Sequence, residues 1–244
     1  MTGYLKDAVK WGTDYFIKAH VSPYEFYGQV GNGDFDHSSW SRPEDMPDWR
    51  PAYKIDQANP GSDLAAETAA ALASASILFP DSDPAYSEEL LSHAIDLYKF
   101  ADEYRGKYSD SIGDAGKFYK SWSGYNDELV WGAVWLYKAS GDQSYLEKAK
   151  SYYQQFGFSG KNEFFSWDGK VAGAQILLAQ ETGEDIYVQD ALKQCQFYVD
   201  YQRSPLGRTH YLQWGSLRYA ANAAYICLEV FLFQATSLFF CVLF

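Results

Sequence analysis

Hydrophobic positions recur with helical spacing along most of the chain. An i, i+3, i+4, i+7 pattern that runs to Ala19 places Leu5, Val9, Tyr15 and Phe16 on one face. This spacing predicts an amphipathic first helix. An alanine-rich helix is expected after Pro60 and Gly61, and the later spacing predicts helices at residues 86–104, 126–140, 144–156, 170–182, 186–201 and 215–230. No segment alternates convincingly enough to predict a strand.

Helix boundaries carry local signals. Ser62 is predicted to cap the alanine-rich helix, and Ser144 with Glu147 has the spacing of a capping box. Gly141 and Gly183 are predicted to end the helices that precede them, because glycine adopts the left-handed backbone of a helix C-terminus without steric cost.

A weak internal repeat relates residues 140–149 to residues 182–191, at an offset of 42 residues. Each copy ends one helix at a glycine turn and begins the next, so the repeating unit is a helical hairpin. Hairpins stacked side by side bury a shared core in an open array or a closed ring. About eight helices are expected, whereas a closed (α/α)6 barrel needs twelve. The sequence therefore predicts an all-α fold, either an open array or part of such a ring.

Composition narrows the possible partners. The formal charge of −12 repels phosphate backbones and anionic lipid headgroups, which argues against a nucleic-acid partner. Aromatic residues make up 18% of the chain, so many are expected on a surface that serves binding.

The cysteines and the two chain ends give further expectations. Three cysteines without a CxxC spacing predict neither a disulfide framework nor a zinc site. The first residues lack the pattern of a secretory signal peptide. The last 15 residues, 230–244, are uncharged and strongly apolar, yet shorter than the roughly 20 residues that span a bilayer. A membrane is therefore an unlikely partner, although residues 220–244 together remain an alternative as a short anchor.

The longest irregular stretch, residues 21–60, contains a candidate binding loop at residues 32–46. His37 offers a hydrogen-bond donor and acceptor, Trp40 a flat apolar face, and neighbouring carboxylates further acceptors, which suits a polyhydroxylated ligand. A solvated loop with one aromatic anchor is the alternative.

A second cluster, residues 119–128, brings Tyr119 and Trp122 next to an oxygen-rich turn. This turn offers four candidate oxygen ligands of the kind that Ca²⁺ prefers: Ser123, Gly124, Asp127 and Glu128. Asp168, distant in sequence, is a candidate fifth ligand. Alternatively, the two acidic residues only stabilise the first turn of the following helix, since the N-terminal end of the helix dipole is positive.

A third cluster contains Trp214 and Arg218, four residues apart at the start of the last predicted helix. They could stack on each other at the core edge or line a groove that binds rings and hydroxyls. No GxSxG, P-loop, GxGxxG or HExxH motif is present in the sequence.

Taken together, these clusters resemble the glycoside hydrolases of family nine, most closely the animal endo-β-1,4-glucanases. The resemblance runs from about Leu5 to Val230 and rests on six blocks in order: VKWGTDYFIKAH (9–20), FYGQVG (26–31), HSSWSRPEDM (37–46), PGSDLAAETAAA (60–71), SGYNDELVWG (123–132) and WGSLRYAAN (214–222).

The resemblance implies an incomplete (α/α)6 barrel over residues 1–229, followed by an apolar tail outside the family at residues 230–244. It implies a secreted enzyme that cleaves β-1,4-glucan with inversion. It further implies sugar contacts for His37, Trp40, Tyr119, Trp122, Trp214 and Arg218, and a structural Ca²⁺ held by Ser123, Gly124, Asp127, Glu128 and Asp168.

No catalytic residue is expected among the 244 residues. In the family that the chain resembles, two catalytic aspartates lie in an Asp-Ala-Gly-Asp motif before the first matched helix. The general acid, a glutamate in an Asn-Glu segment, lies with a His-His-Arg motif after the last matched block. The chain is therefore expected to be an internal piece that does not hydrolyse glucan alone, and a non-catalytic β-glucan-binding protein is the alternative.

Overall fold

The computed structural model describes residues 3–46 and 48–242. Within them the chain is mostly helical, with one small sheet between the first helix and the alanine-rich helix. The helices are α1 (Gly3–Ala19), α2 (Gly33–His37), α3 (Ser62–Ser76), α4 (Pro84–Glu103), α5 (Tyr108–Ser111), α6 (Asn126–Ser140), α7 (Gln143–Gln155), α8 (Val171–Thr182), α9 (Asp185–Asp200) and α10 (Ser216–Val242). The strands are β1 (His20–Ser22), β2 (Glu25–Val30) and β3 (Ala52–Asp56).

The sheet corrects the expectation that the chain has no strands. β1, β2 and β3 are antiparallel neighbours in that order, and Phe26 of β2 lies opposite Ile55 of β3. Both side chains are buried, so the sheet is held by a cross-strand apolar pair rather than by a long alternating run. The strands are too short for their period to stand out in the sequence.

The chain forms two compact units, one up to Leu146 and one from Glu147 onward. In the first unit α3 packs against α4 and α6, and α1 packs against α3. A Cβ at Gly132 of α6 would lie 3.0 Å from the Tyr98 ring and 3.1 Å from the carbonyl oxygen of Ala66, so glycine and the small residues of α3 allow the helices to approach closely. In the second unit α8 packs against α9 and α10.

The repeated hairpin is confirmed at both of its turns. Gly141 ends α6 and Gly183 ends α8, each with a left-handed backbone (φ of 71° and 66°). The N-terminal caps, by contrast, differ from the expectation. The N-cap of α3 is Gly61, and the Ser62 hydroxyl donates instead to the carbonyl oxygen of Ala101, 2.7 Å away.

The capping box expected at Ser144 and Glu147 is also replaced. α7 begins at Gln143, and the Asp142 carboxylate accepts a hydrogen bond of 2.9 Å from the backbone N–H of Ser144. Asp142 directly precedes the helix and therefore caps it two residues before Ser144.

The cysteines were wrongly predicted to form no disulfide. Cys195 of α9 and Cys227 of α10 are joined by a disulfide that closes a separation of 32 residues in the second unit. Sequence spacing gave no sign of this pair because the two residues meet only when α9 and α10 pack together.

The last helix extends past its predicted end. α10 runs to Val242, so the predicted boundary between residues 229 and 230 falls inside a continuous helix. The tail's residues 243–244 lie outside the described residues. No helix in the described part of the chain combines the length and apolar character needed to cross a membrane.

Some tyrosines are buried more deeply than any tryptophan. Tyr98, Tyr153, Tyr187 and Tyr198 are among the largest fully buried side chains. Each of the eight tryptophans, in contrast, is at least partly exposed. These four tyrosines therefore belong to the core, whereas the tryptophans all reach the surface.

Candidate functional site

A cavity of about 500 Å³ in the first unit, called here the His37 cavity, lies between two segments distant in sequence. One segment is the end of β2, its following turn and α2; the other leads from α5 to Tyr119. His37 and Tyr119, both predicted ligand contacts, line this cavity. The structure thus brings together one residue from each of the first two sequence clusters.

His37 is oriented by two contacts. Its Nδ1 lies 2.8 Å from the carbonyl oxygen of Gly33, and because a carbonyl only accepts, Nδ1 donates this hydrogen bond. In the neutral imidazole Nε2 is then the acceptor. The ring stacks on Phe118, with centroids 4.9 Å apart and planes 19° apart. His37 therefore presents a polar edge beside an aromatic face.

Phe118 was not identified from the sequence as a site residue. It follows a short 3-10 turn, Ala115–Lys117, which aims its ring at the start of α2. A Cβ at Gly33 would lie 2.1 Å from the Phe118 ring, so only glycine fits there without movement. The glycine in the Asn-Gly-Asp turn was the available signal, since glycine marks a position of close approach.

The wall of the cavity around Tyr108 is held by a buried acid. Asp63 Oδ1 accepts hydrogen bonds from the backbone N–H groups of Tyr108 (2.8 Å) and Leu64 (2.9 Å). Burial raises the pKa of Asp63, and its Oδ2 is buried without a hydrogen-bond partner. The Tyr108 hydroxyl donates to the carbonyl oxygen of Tyr119, which links this wall to the predicted aromatic platform.

Trp40 and Trp122 are fully or largely exposed and do not line the His37 cavity. Trp122 stands next to a turn in which the Ser121 hydroxyl donates to the carbonyl oxygen of Gly124 (2.8 Å). Gly124 has a φ of +97°, a conformation that glycine adopts readily. Lys120 Nζ lies 5.0 Å from the centre of the Trp122 indole ring.

The predicted calcium ligands are divided between the two units. Asp127 and Glu128, in the first turn of α6, are 2% and 3% exposed, and Ser123 and Gly124 precede them in the first unit. Asp168 lies in the second unit. Among the described residues, no group of three histidine, cysteine, aspartate or glutamate side chains is arranged to hold a metal ion.

The turn that carries Asp168 is clamped by Lys170. This lysine is 2% exposed and donates to the carbonyl oxygens of Ser166 and Trp167, both at 2.8 Å. Asn162-Glu163 forms an Asn-Glu pair in the same unit, but the Glu163 carboxylate accepts from the backbone N–H of Val171 (2.9 Å) and pairs with Lys161. Glu163 therefore has a structural role in this turn.

Trp214 and Arg218 are both exposed, in the second unit. The Arg218 guanidinium lies 4.7 Å from the centre of the Tyr219 ring and donates to its hydroxyl. A Cβ at Gly215 would lie 2.9 Å from Arg218 Nε, so the glycine leaves room for this arrangement.

Comparisons with known proteins agree on one family. The profile of glycosyl hydrolase family 9 matches residues 1–235. Endoglucanase B of Cellulomonas fimi is 49% identical over 236 residues, which cover 92% of this chain and 23% of that protein.

Two solved structures extend the comparison. The endoglucanase of the termite Nasutitermes takasagoensis superposes with a TM-score of 0.92 at 53% identity, over 95% of this chain and 54% of that one. The cellulase Cel9M of C. cellulolyticum in complex with cellobiose superposes with a TM-score of 0.85 at 32% identity, over 93% and 53% of the two chains. The chain thus spans about half of these structures and a quarter of the Cellulomonas protein. Because they are family catalytic domains, the mostly helical architecture corresponds to part of an (α/α)6 barrel, as predicted.

Proposed function

The chain belongs to glycosyl hydrolase family 9, and from this premise we propose that it forms part of an endo-β-1,4-glucanase catalytic domain and supplies a glucan-binding wall. Relatives named endoglucanases match over 90% or more of this chain, and one family structure holds cellobiose. Since the chain covers about half of those structures, the activity of the whole domain is part of the proposal.

The observation that carries the proposal is that the His37 cavity combines the polar edge of an imidazole with the exposed ring of Tyr119. A sugar ring presents hydroxyl groups at its rim and apolar C–H groups on its faces, so it needs both polar and aromatic partners. In the His37 cavity the imidazole Nε2 is available as an acceptor, and the Tyr119 ring is exposed at the same opening. The net charge of −12 is compatible with a neutral ligand.

We further propose that these 244 residues bind glucan but do not hydrolyse it. Inverting hydrolysis needs a carboxylic acid and a carboxylate base on opposite sides of the bond. Neither an Asp-Ala-Gly-Asp quartet nor a His-His-Arg motif occurs in the sequence, and the Glu163 carboxylate is engaged with Val171 and Lys161. The alternative is a non-catalytic β-glucan-binding protein, which the same cavity would serve.

Calorimetric titration with cellohexaose tests the binding proposal. We expect the wild type to bind and Tyr119→Ala to bind about tenfold more weakly, since the aromatic face is lost. Trp11→Ala, which removes an exposed aromatic from α1 outside the His37 cavity, should bind like the wild type. No heat with the wild type, or equal losses in both variants, would refute the assignment of the cavity.

A carboxymethylcellulose assay tests the catalytic part separately. We expect no release of reducing sugar from the purified chain. Turnover that disappears on substitution of one carboxylate, for example Glu163→Gln, would show that a catalytic acid is present after all.

Calcium is proposed as a structural ion at the start of α6. Ser123, Gly124, Asp127 and Glu128 offer hard oxygen atoms on one turn and the following helix, all within the first unit. When bound, the ion would neutralise the buried Asp127 and Glu128 carboxylates and stabilise the turn that carries Trp122. The melting temperature should rise in millimolar Ca²⁺ for the wild type and for Asp110→Asn, but not for Asp127→Asn. A rise of equal size in all three would exclude these ligands.

Secretion is likewise proposed from the family. The Cys195–Cys227 disulfide supports it, because disulfides persist mainly in oxidising compartments. Mass spectrometry of the protein isolated from its source under alkylating conditions should find these two cysteines unmodified. Full alkylation of both thiols would contradict an oxidising location.

A further inference from the structure

Asp114 lies beneath the His37 cavity, just before the 3-10 turn that leads to Phe118. Its side chain is only 7% exposed. The carboxylate accepts hydrogen bonds from three groups: the backbone N–H of Gly33 (2.8 Å), the side-chain amide of Asn32 (3.0 Å) and the side-chain amide of Gln29. The three donors lie at the end of β2, in the turn that follows it and at the first residue of α2.

These donors determine where His37 lies. Asn32 is the N-cap of α2, and its Oδ1 accepts from the backbone N–H of Phe35 (2.9 Å). Gly33 begins α2, and its carbonyl oxygen accepts from His37 Nδ1. By holding Asn32 and Gly33, the Asp114 carboxylate fixes the first turn of α2 and hence the imidazole.

The same residue also lies close in sequence to Phe118, the ring on which His37 stacks. Phe118 follows Asp114 by four residues, and the intervening turn is closed by the backbone hydrogen bond from Phe118 to the carbonyl oxygen of Ala115 (3.0 Å). Asp114 thus joins two segments about 80 residues apart, one carrying the imidazole and the other the ring on which it stacks.

The electrostatics favour an ionised carboxylate. The hydrogen bond from the Gly33 N–H, then that from Gln29, lowers the pKa of Asp114, and Lys117 lies 3.8 Å away. Lys117 also pairs with Asp34 of α2, which adds a second link between the two segments. Hydrogen bonds to an ionised acceptor are roughly twice as strong as neutral ones, so this carboxylate is suited to hold a turn in place.

We propose that Asp114 is a positioning residue for the glucan-binding cavity, holding His37 and Phe118 in the geometry that binds a sugar. This inference rests on the proposed function, because it assigns the cavity a sugar ligand. Asp114 does not line the cavity, so it acts through the residues that it orders.

The hydrogen-bond pattern provides a specific rescue experiment. In Asp114→Asn one oxygen can still accept from Gly33 and Gln29, but the introduced amide group faces the Asn32 amide, donor against donor. Adding Asn32→Asp reverses the direction of that hydrogen bond, because the carboxylate introduced at position 32 accepts from the amide introduced at position 114. The same carboxylate can still accept from the backbone N–H of Phe35 and so cap α2. The Tyr53 hydroxyl, which accepts from Asn32 at 3.0 Å, can then donate instead. Asp110→Asn is the matched control, since the Asp110 side chain is 67% exposed.

Two readouts separate positioning from general stability. Calorimetric titration measures cellohexaose affinity, and NMR of the His37 imidazole reports its stacking on Phe118 without any ligand. We expect Asp114→Asn to weaken binding about tenfold and to shift the imidazole signals. The double variant should recover the affinity to within about threefold of the wild type and restore the imidazole signals. Asp110→Asn should change neither the affinity nor the signals.

The outcomes distinguish this inference from the proposed function. If the wild type does not bind cellohexaose, the proposed function fails, and the imidazole signals alone decide whether Asp114 positions His37. Unchanged signals and affinity in Asp114→Asn would overturn the inference while the function stands. If Asp114→Asn does not fold, recovery of both readouts in Asp114→Asn/Asn32→Asp supports the inference, and failure to recover overturns it.

Discussion

Gly33→Ala should disrupt the His37 cavity through a single methyl group. The added Cβ would lie 2.1 Å from the Phe118 ring, whereas ordinary van der Waals contact begins at 3.4 Å, so the ring must retreat by about 1.3 Å. Gly33 has no positive φ, so the backbone itself tolerates alanine. Overpacking of this kind costs about 1–3 kcal/mol, which for a chain of this length lowers the melting temperature by roughly 2–12 °C.

Differential scanning calorimetry and cellohexaose titration measure the two effects. Displacement of Phe118 removes the face on which His37 stacks, so we expect weaker binding together with the lower melting temperature. Gly113→Ala is the control, since a Cβ there meets nothing within 4 Å. Phe118→Leu, which shortens the obstructing side chain, should restore much of the stability lost in Gly33→Ala. A Gly33→Ala protein that melts and binds like Gly113→Ala would refute the close contact.

Three further predictions concern stability. Burial, then the charge of His93, lowers the pKa of His20 below 6.5, so the folded state resists protonation of this imidazole. The free energy of unfolding should therefore be full above pH 6.5 and fall below it by up to about 1.4 kcal/mol per pH unit. Urea titrations at a series of pH values should show that this free energy depends less on pH in His20→Gln than in the wild type. Tyr153→Phe removes the hydroxyl that donates to the buried Asp190 carboxylate (2.8 Å) and should cost about 1.5–3 kcal/mol; an unchanged calorimetric melting temperature would contradict this. Reduction of the Cys195–Cys227 disulfide should cost about 3–4 kcal/mol for a loop of this length, measured as a lower urea midpoint in the presence of reductant.

Local chemistry explains which parts of the fold could be predicted. The helix at residues 126–140 matches α6 to the residue, because Gly141 specifies its end through a left-handed backbone that other residues adopt at a cost. The role of Ser62, by contrast, could not be predicted from local sequence. As a sequence signal it is a capping residue, but in the fold its hydroxyl bonds Ala101, 39 residues away, and Gly61 takes the cap position.

The candidate site was predictable only in part, for a similar reason. His37 and Tyr119 stand out by residue type, whereas Phe118 and Asp114 look like an ordinary apolar residue and an ordinary loop acid. Their importance depends on contacts made across about 80 residues, with Gly33 and His37. Cys195 and Cys227 are missed in the same way, since packing of α9 on α10 brings them together.

The contrast between the four fully buried tyrosines and the at least partly exposed tryptophans has a spectroscopic consequence. Since Tyr98, Tyr153, Tyr187 and Tyr198 occupy the core and each tryptophan contacts solvent, selective tryptophan excitation should give a red-shifted emission even in the native protein. Unfolding would then change that emission little, whereas a ligand covering Trp40, Trp122 or Trp214 would shift it to the blue. Tryptophan fluorescence is therefore a reporter of surface occupancy in this protein, whereas the near-UV dichroism of the four buried tyrosines reports on its core.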